Sequence, residues 1–105
     1  MGAGIPDLLI CDAFGVFHFV ELKFLTSNGV TLQPSQVAWL SRHQHSPSWI
    51  LIKKQNKPTD EPEMFLYPAS AAVDLKMDGL QSVEPLHHQK GKFNWEVLFD
   101  LISPT

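Results

Sequence analysis

Asp7-Leu8-Leu9-Ile10-Cys11-Asp12 and Val16-Phe17-His18-Phe19-Val20-Glu21-Leu22-Lys23-Phe24 stand either side of Ala13-Phe14-Gly15. Both runs are rich in β-branched and aromatic residues and the connection is short, which predicts a β-hairpin. With Gly15 in the left-handed position of a three-residue loop, the antiparallel register sets Asp7 opposite Glu21 and Leu9 opposite Phe19. Side chains two apart on a strand share a face, so Glu21 and Lys23 point together while Leu22 enters the other side. The two acids then meet on one face. His18, between Phe17 and Phe19, falls on the opposite face as a structural residue, and Cys11 reads as a small core residue of the hairpin.

Working outward, Thr26 to Gln33 holds the turn signal Ser27-Asn28-Gly29. Pro34-Ser35 then opens an apolar spacing at Val37, Trp39 and Leu40 that predicts a helix over about 34–45, capped by Gln33 or Thr31. Ser48 to Lys53 and Met64 to Tyr67 have the apolar runs of strands, separated by the polar loop Gln55 to Pro62. Ala69 to Lys76 predicts a short helix stopped by Asp78-Gly79. Phe93 to Ile102 predicts a terminal helix with Trp95, Leu98, Phe99 and Ile102 on its inner face. Residues 80–92 carry no readable element. Strand, strand, helix, strand, strand, helix is an α/β or α+β order around a mixed sheet, and with no internal repeat the whole span 1–105 reads as one domain.

Bulk properties narrow the classes. A hydrophobic content of 44% with 18% charged residues is ordinary for a globular fold. Cys11 is the only cysteine, which excludes an intrachain disulfide and a Cys/His zinc framework and suits a reducing, intracellular compartment. Neither a signal peptide nor an apolar run of the ~20 residues that cross a bilayer is present, so a soluble protein off the membrane is expected. A net charge of −3 argues against a general nucleic-acid binder. The charge is uneven, however: residues 1–57 hold five basic residues against three acids, and 58–105 hold three against eight. On that reading the N-terminal half faces a polyanion and the C-terminal half faces solvent.

Gly4-Ile5-Pro6-Asp7, a spacer of thirteen residues and then Glu21-Leu22-Lys23 resembles the PD-(D/E)XK nuclease motif in residue type and spacing. Gln36, on the following helix, resembles the glutamine of many members. Together they look closest to the stand-alone virus-type replication-repair nuclease domain, VRR-NUC, over roughly residues 2–53. The resemblance implies a restriction-endonuclease-like mixed sheet flanked by helices and a Mg²⁺- or Mn²⁺-dependent DNA endonuclease. It implies Asp7, Glu21, Lys23 and Gln36 as catalytic residues, and Asp7, Glu21 and the Leu22 carbonyl as metal ligands. Selectivity for Holliday junctions or other branched DNA is implied by the resemblance alone, as is a viral or phage source acting inside a host cell. Junctions have near two-fold symmetry, so a homodimer with two active sites makes geometric sense, with exposed aromatics or the terminal helix as the contact. Only six residues precede Asp7, so the acid-bearing N-terminal helix of many members is expected to be missing. Then the site works with fewer ligands, a partner subunit or later segment supplies the acid, the chain is a fragment, or activity has been lost.

The residue types fit the chemistry. Phosphodiester hydrolysis needs charge neutralisation at phosphate and a hydroxide near neutral pH, which a hard cation on carboxylates supplies. Two carboxylates ~4 Å apart repel by about 4 kcal/mol at an effective dielectric of ~20, so something positive belongs between them. Lys23 offsets part of this and is suited to orienting the attacking water or stabilising developing charge.

Other polar residues have competing readings. Gln36 either touches the site or is an exposed first-turn residue. Arg42, His43 and His45 complement a helix dipole or contact phosphate. Lys53, Lys54 and Lys57 grip a DNA backbone or form a solvated loop, and His87-His88 with Lys90 and Lys92 is a similar candidate. A second reading of the whole chain, motivated by its acidity, is a non-catalytic module that binds nucleic acid or protein.

Overall fold

Strands β1 (Leu8–Cys11) and β2 (Phe17–Leu25) form the expected hairpin, with Leu9 opposite Phe19 and Leu8 opposite Val20. The Asp12 amide bonds the Val16 carbonyl and the Gly15 amide the Asp12 carbonyl, closing a loop of Ala13, Phe14 and Gly15. Gly15 takes φ +80°, a conformation glycine reaches without a Cβ penalty. The computed structural model describes residues 3–103; residue 2, where the resembling stretch begins, and the outermost ends of the expected 1–105 domain lie outside them.

Helix α1 (Pro34–Arg42) carries the chain from β2 to β3 (Ser48–Lys54), which pairs parallel with β2. Antiparallel β4 (Glu63–Pro68) and β5 (His87–Lys90) complete a mixed sheet in the order β1-β2-β3-β4-β5. Helix α2 (Ala72–Asp78) follows one 3-10 turn, and α3 (Trp95–Ile102) ends the described fold. This is an α+β domain.

The central strands are buried on both faces. Leu40 of α1 and Ala72 and Leu75 of α2 pack with Ile50, Ile52 and Tyr67 on one side. On the other, Leu98 and Ile102 of α3 pack with Val20, Leu51, Met64 and Leu66. Burial on both sides is what the unbroken run Trp49-Ile50-Leu51-Ile52 in central β3 encodes.

Several expectations need correction. Helix α1 stops at Arg42, not 45, because the amide and hydroxyl of Ser46 both bond the His43 carbonyl and turn the chain toward β3. Strand β5 falls in the stretch that carried no readable element. It is an edge strand of polar residues, fixed by its neighbours: His88 stacks on Phe65 at 4.4 Å and hydrogen-bonds Glu63. Trp95 is 47% exposed, because the buried line of α3 runs through Leu98 and Ile102, while Trp95 packs edge-on against Phe93. Cys11 is exposed, not core: β1 is the outer strand, and α1 does not reach that end of its face. The two halves of the chain do not form two charged sides either, since α1 and α2 share one face and β3 lies between β2 and β4.

Candidate active site

Asp7 directly precedes β1, and its Oδ2 accepts a hydrogen bond from the Leu22 amide at 3.0 Å. The register also bears on the carbonyl of the same residue. Continuing from Leu8 opposite Val20, Pro6 falls opposite Leu22. A strand residue's N–H and C=O point to the same neighbour, and proline has no N–H to give. The Leu22 carbonyl therefore faces the Asp7 side without the ladder donor an ordinary residue would provide. Pro6 leaves the Leu22 carbonyl open, and the Asp7 carboxylate takes the amide of the same residue.

Gly4 sets the approach of this segment. At φ +87°, a Cβ on it would lie 2.1 Å from the Ser35 carbonyl oxygen and 2.9 Å from the Gln36 nitrogen. The chain ahead of Asp7 thus lies directly on the first turn of α1, the turn that carries Gln36. Gly4→Ala is expected to force the two apart and lower stability by roughly 2–4 kcal/mol, from left-handed backbone strain plus overpacking. Urea denaturation checks this; an unchanged midpoint would show that the contact is not made.

Glu21 is 1% exposed. Its Oε2 accepts from Gln36 Nε2 at 2.9 Å and lies 3.5 Å from Lys23 Nζ. Lys23 Nζ also donates to Gln36 Oε1 at 3.0 Å, and the Gln33 amide donates to the same oxygen at 2.8 Å. Two donors on one end and a carboxylate on the other fix which way the Gln36 amide faces. Gln36 is thus a bridge from helix to strand.

Glu21 Oε1 is buried without a hydrogen-bond partner. Burial pushes the Glu21 carboxyl above its ordinary value, and the negative charge of Asp7 adds to the shift; Lys23 works against both. A buried polar atom left unpaired is unfavourable and calls for an explanation. The donor set here, two carboxylates and a free-edge carbonyl, is of the oxygen type that Mg²⁺ or Mn²⁺ takes, so the residues fit such an ion. Among the described residues no group of three or more His, Cys, Asp or Glu is gathered for a metal.

The hairpin is held from its other face by groups the sequence did not single out. Asp12 is buried; its Oδ1 accepts from the Phe14 and Val16 amides at 2.8 and 3.0 Å, and its Oδ2 lies 2.7 Å from His18 Nε2. Trp49 Nε1 donates to His18 Nδ1 at 3.0 Å, so Nε2 carries the proton that bonds Asp12. The His18 hydrogen bond, aided by the two amides, holds the Asp12 carboxyl below its ordinary value. His18 is structural and opposite the site, as its strand parity indicates.

Asp7, Glu21, Lys23 and Gln36 are therefore brought together, with Leu22 between them. The basic residues are not gathered in this way. Lys53 and Lys54 are consecutive on β3 and project to opposite faces, and Lys54 Nζ bonds Asn28 Oδ1. Lys57 lies in the following loop, where its amide bonds Asp60. Arg42 is exposed at the end of α1, near the start of β3, roughly 20 Å along that strand from Lys54. Beside it His43 stacks on Trp39 at 4.0 Å. Comparison with known families, curated proteins and solved structures finds no match.

Proposed function

We propose that this chain is a divalent-metal-dependent nuclease of the PD-(D/E)XK type that hydrolyses phosphodiester bonds in DNA. The observation that carries the reading is the buried Glu21 carboxylate, with Oε1 unpartnered while Gln36 and Lys23 hold Oε2. Asp7, Glu21 Oε1 and the Leu22 carbonyl would hold Mg²⁺ or Mn²⁺. Such an ion, when bound, neutralises phosphate charge and makes hydroxide available near neutral pH.

The chain's own residues do the rest. Gln36 keeps Glu21 Oε2 occupied, so the other oxygen, buried and without a partner, is the one left for a ligand. Leu22 N–H fixes the Asp7 carboxylate through Oδ2. Lys23, on the same strand face as Glu21, presents a compact positive charge to the phosphate oxygens and to the charge that develops on them. A second copy of the chain would place two such sites on opposed strands of a branched substrate.

The test is cutting of plasmid, flap and four-way junction DNA with Mg²⁺ or Mn²⁺ and with EDTA. Wild type is expected to cut only with the metal, and Asp7→Asn is expected to cut at least tenfold more slowly. Metal-independent cutting, or an Asp7→Asn rate equal to wild type, would remove the site. Binding of DNA without cutting under either metal would favour the non-catalytic module.

A further inference from the structure

We infer that the hairpin face beside the Asp7–Glu21 site is a stacking ledge for unpaired nucleotide bases, so that the strand to be cut is presented single-stranded. The inference rests on the nuclease reading and narrows its substrate class. Leu9 and Cys11 on β1 pair with Phe19 and Phe17 on β2, and all four share the face that carries Glu21 and Lys23. Helix α1 covers only the inner end of this face, where Trp39 packs on Phe19 at 5.0 Å and His43 stacks on Trp39. Beyond it Leu9 and Phe17 are each 58% exposed, and Cys11 is exposed.

Along β2 the order is therefore Lys23, Glu21, Phe19, Phe17, in steps of about 7 Å. The exposed ring, Phe17, stands two steps or about 14 Å from the carboxylate, within reach of bases a nucleotide or two from a phosphate held at the site.

Charge favours this occupant over a duplex. Gripping duplex DNA usually means neutralising about 6–10 phosphates. The basic residues of β2, β3 and α1 on this side are Lys23, Lys54, which bonds Asn28, and exposed Arg42, short of that number. Stacking supplies what the cations do not, at ~1–3 kcal/mol per base and with little regard to sequence. Size disfavours a second copy as the occupant, since the ledge has four residues where a stable interface uses about 20–30 a side.

The experiment uses the full chain in EDTA, so that binding is read without cutting. Labelled single strands of about 12 nucleotides, a length within the range such surfaces cover, are titrated by fluorescence anisotropy beside the same strand with abasic sites and its duplex. Wild type is expected to bind the base-bearing strand about tenfold more tightly than either. Phe17→Ala, at an exposed position, is expected to lose that preference, and Phe17→Trp to keep it. Equal affinity for base-bearing and abasic strands overturns the inference, as does wild-type binding by Phe17→Ala or no measurable binding. Sedimentation adds an arm: a dimer that Phe17→Ala dissociates with strand affinity unchanged assigns the ledge to a second copy and overturns it. A base preference in EDTA with no cutting of any substrate in Mn²⁺ supports the ledge while removing the nuclease reading.

Discussion

Glu21→Gln is expected to slow metal-dependent cutting on the order of a thousandfold while raising the melting temperature of the metal-free protein. The first effect follows from losing a metal ligand, whose contribution to transition-state charge stabilisation is several kcal/mol. The second follows from burial. Glu21 is a carboxylate at 1% exposure whose Oε1 has no partner and whose neighbour Asp7 carries the same charge. An unsatisfied buried group costs about 1–3 kcal/mol, and 1 kcal/mol moves the midpoint of a domain this size by about 4–8 °C. A neutral amide at position 21 removes the like charge and offers Asp7 a donor, so a gain of about 5 °C is expected.

The pH dependence gives the same prediction a sign. Burial first, and Asp7 second, raise the folded Glu21 carboxyl above the ordinary 4.5. Between the unfolded and folded values the native state binds more protons than the unfolded one, so Glu21 makes stability fall as pH rises through that window. The penalty is absent below 4.5 and complete above the folded value. The advantage of Glu21→Gln should therefore be small near pH 4 and grow toward neutrality, read by thermal melts in EDTA. Millimolar Mn²⁺ should reverse the order, stabilising wild type by mass action and leaving the variant unmoved. A variant that melts lower than wild type at neutral pH in EDTA would mean that the acid serves the fold instead.

How much of this was written in the chain differs by element. The hairpin was legible because its information is local: Gly15 fixes the loop, the loop fixes the register, and a period of two then puts Glu21 and Lys23 on one face. Central β3 was legible from its apolar run. Strand β5 was not, since His87-His88-Gln89-Lys90 has no strand pattern and becomes one only through Phe65 and Glu63 across the sheet. Gln36 is ambiguous in the sequence because a first-turn glutamine is usually solvated, and what decides otherwise is the packing of α1 over β2. The approach of Gly4 to Ser35 shows that packing, and a glycine before Pro-Asp was its one trace in the sequence. The Asp12–Trp49 link is not legible in the sequence because the two meet only through His18, thirty-one residues before Trp49 in the chain.

Lys23→Met is expected to slow cutting by about 10²–10³-fold, the usual cost of removing one pre-organised donor from a site of developing charge, yet to leave Mn²⁺-dependent stabilisation in place. Lys23 does not belong to the oxygen donor set, so the ion's ligands survive the change. Its Nζ instead lies 3.0 Å from Gln36 Oε1 and 3.5 Å from Glu21 Oε2, held where phosphate oxygens would meet it. Methionine keeps most of the stem's length and apolar contact, so the fold should persist. Lys23 is among the groups that lower the Glu21 value, so without it the carboxyl keeps its proton to higher pH and Mn²⁺ must displace that proton. Thermal shifts with Mn²⁺ should accordingly be weaker than wild type at low pH and approach it as pH rises, while the cutting defect remains at every pH. Lys23→Arg should recover only part of the rate, because a planar guanidinium does not occupy the position of a compact ammonium between an amide oxygen and a carboxylate. Full cutting by Lys23→Met would exclude the lysine from the chemistry. A variant that lost Mn²⁺ stabilisation and cutting together at high pH would show that it acts by holding Glu21 and Gln36 in place.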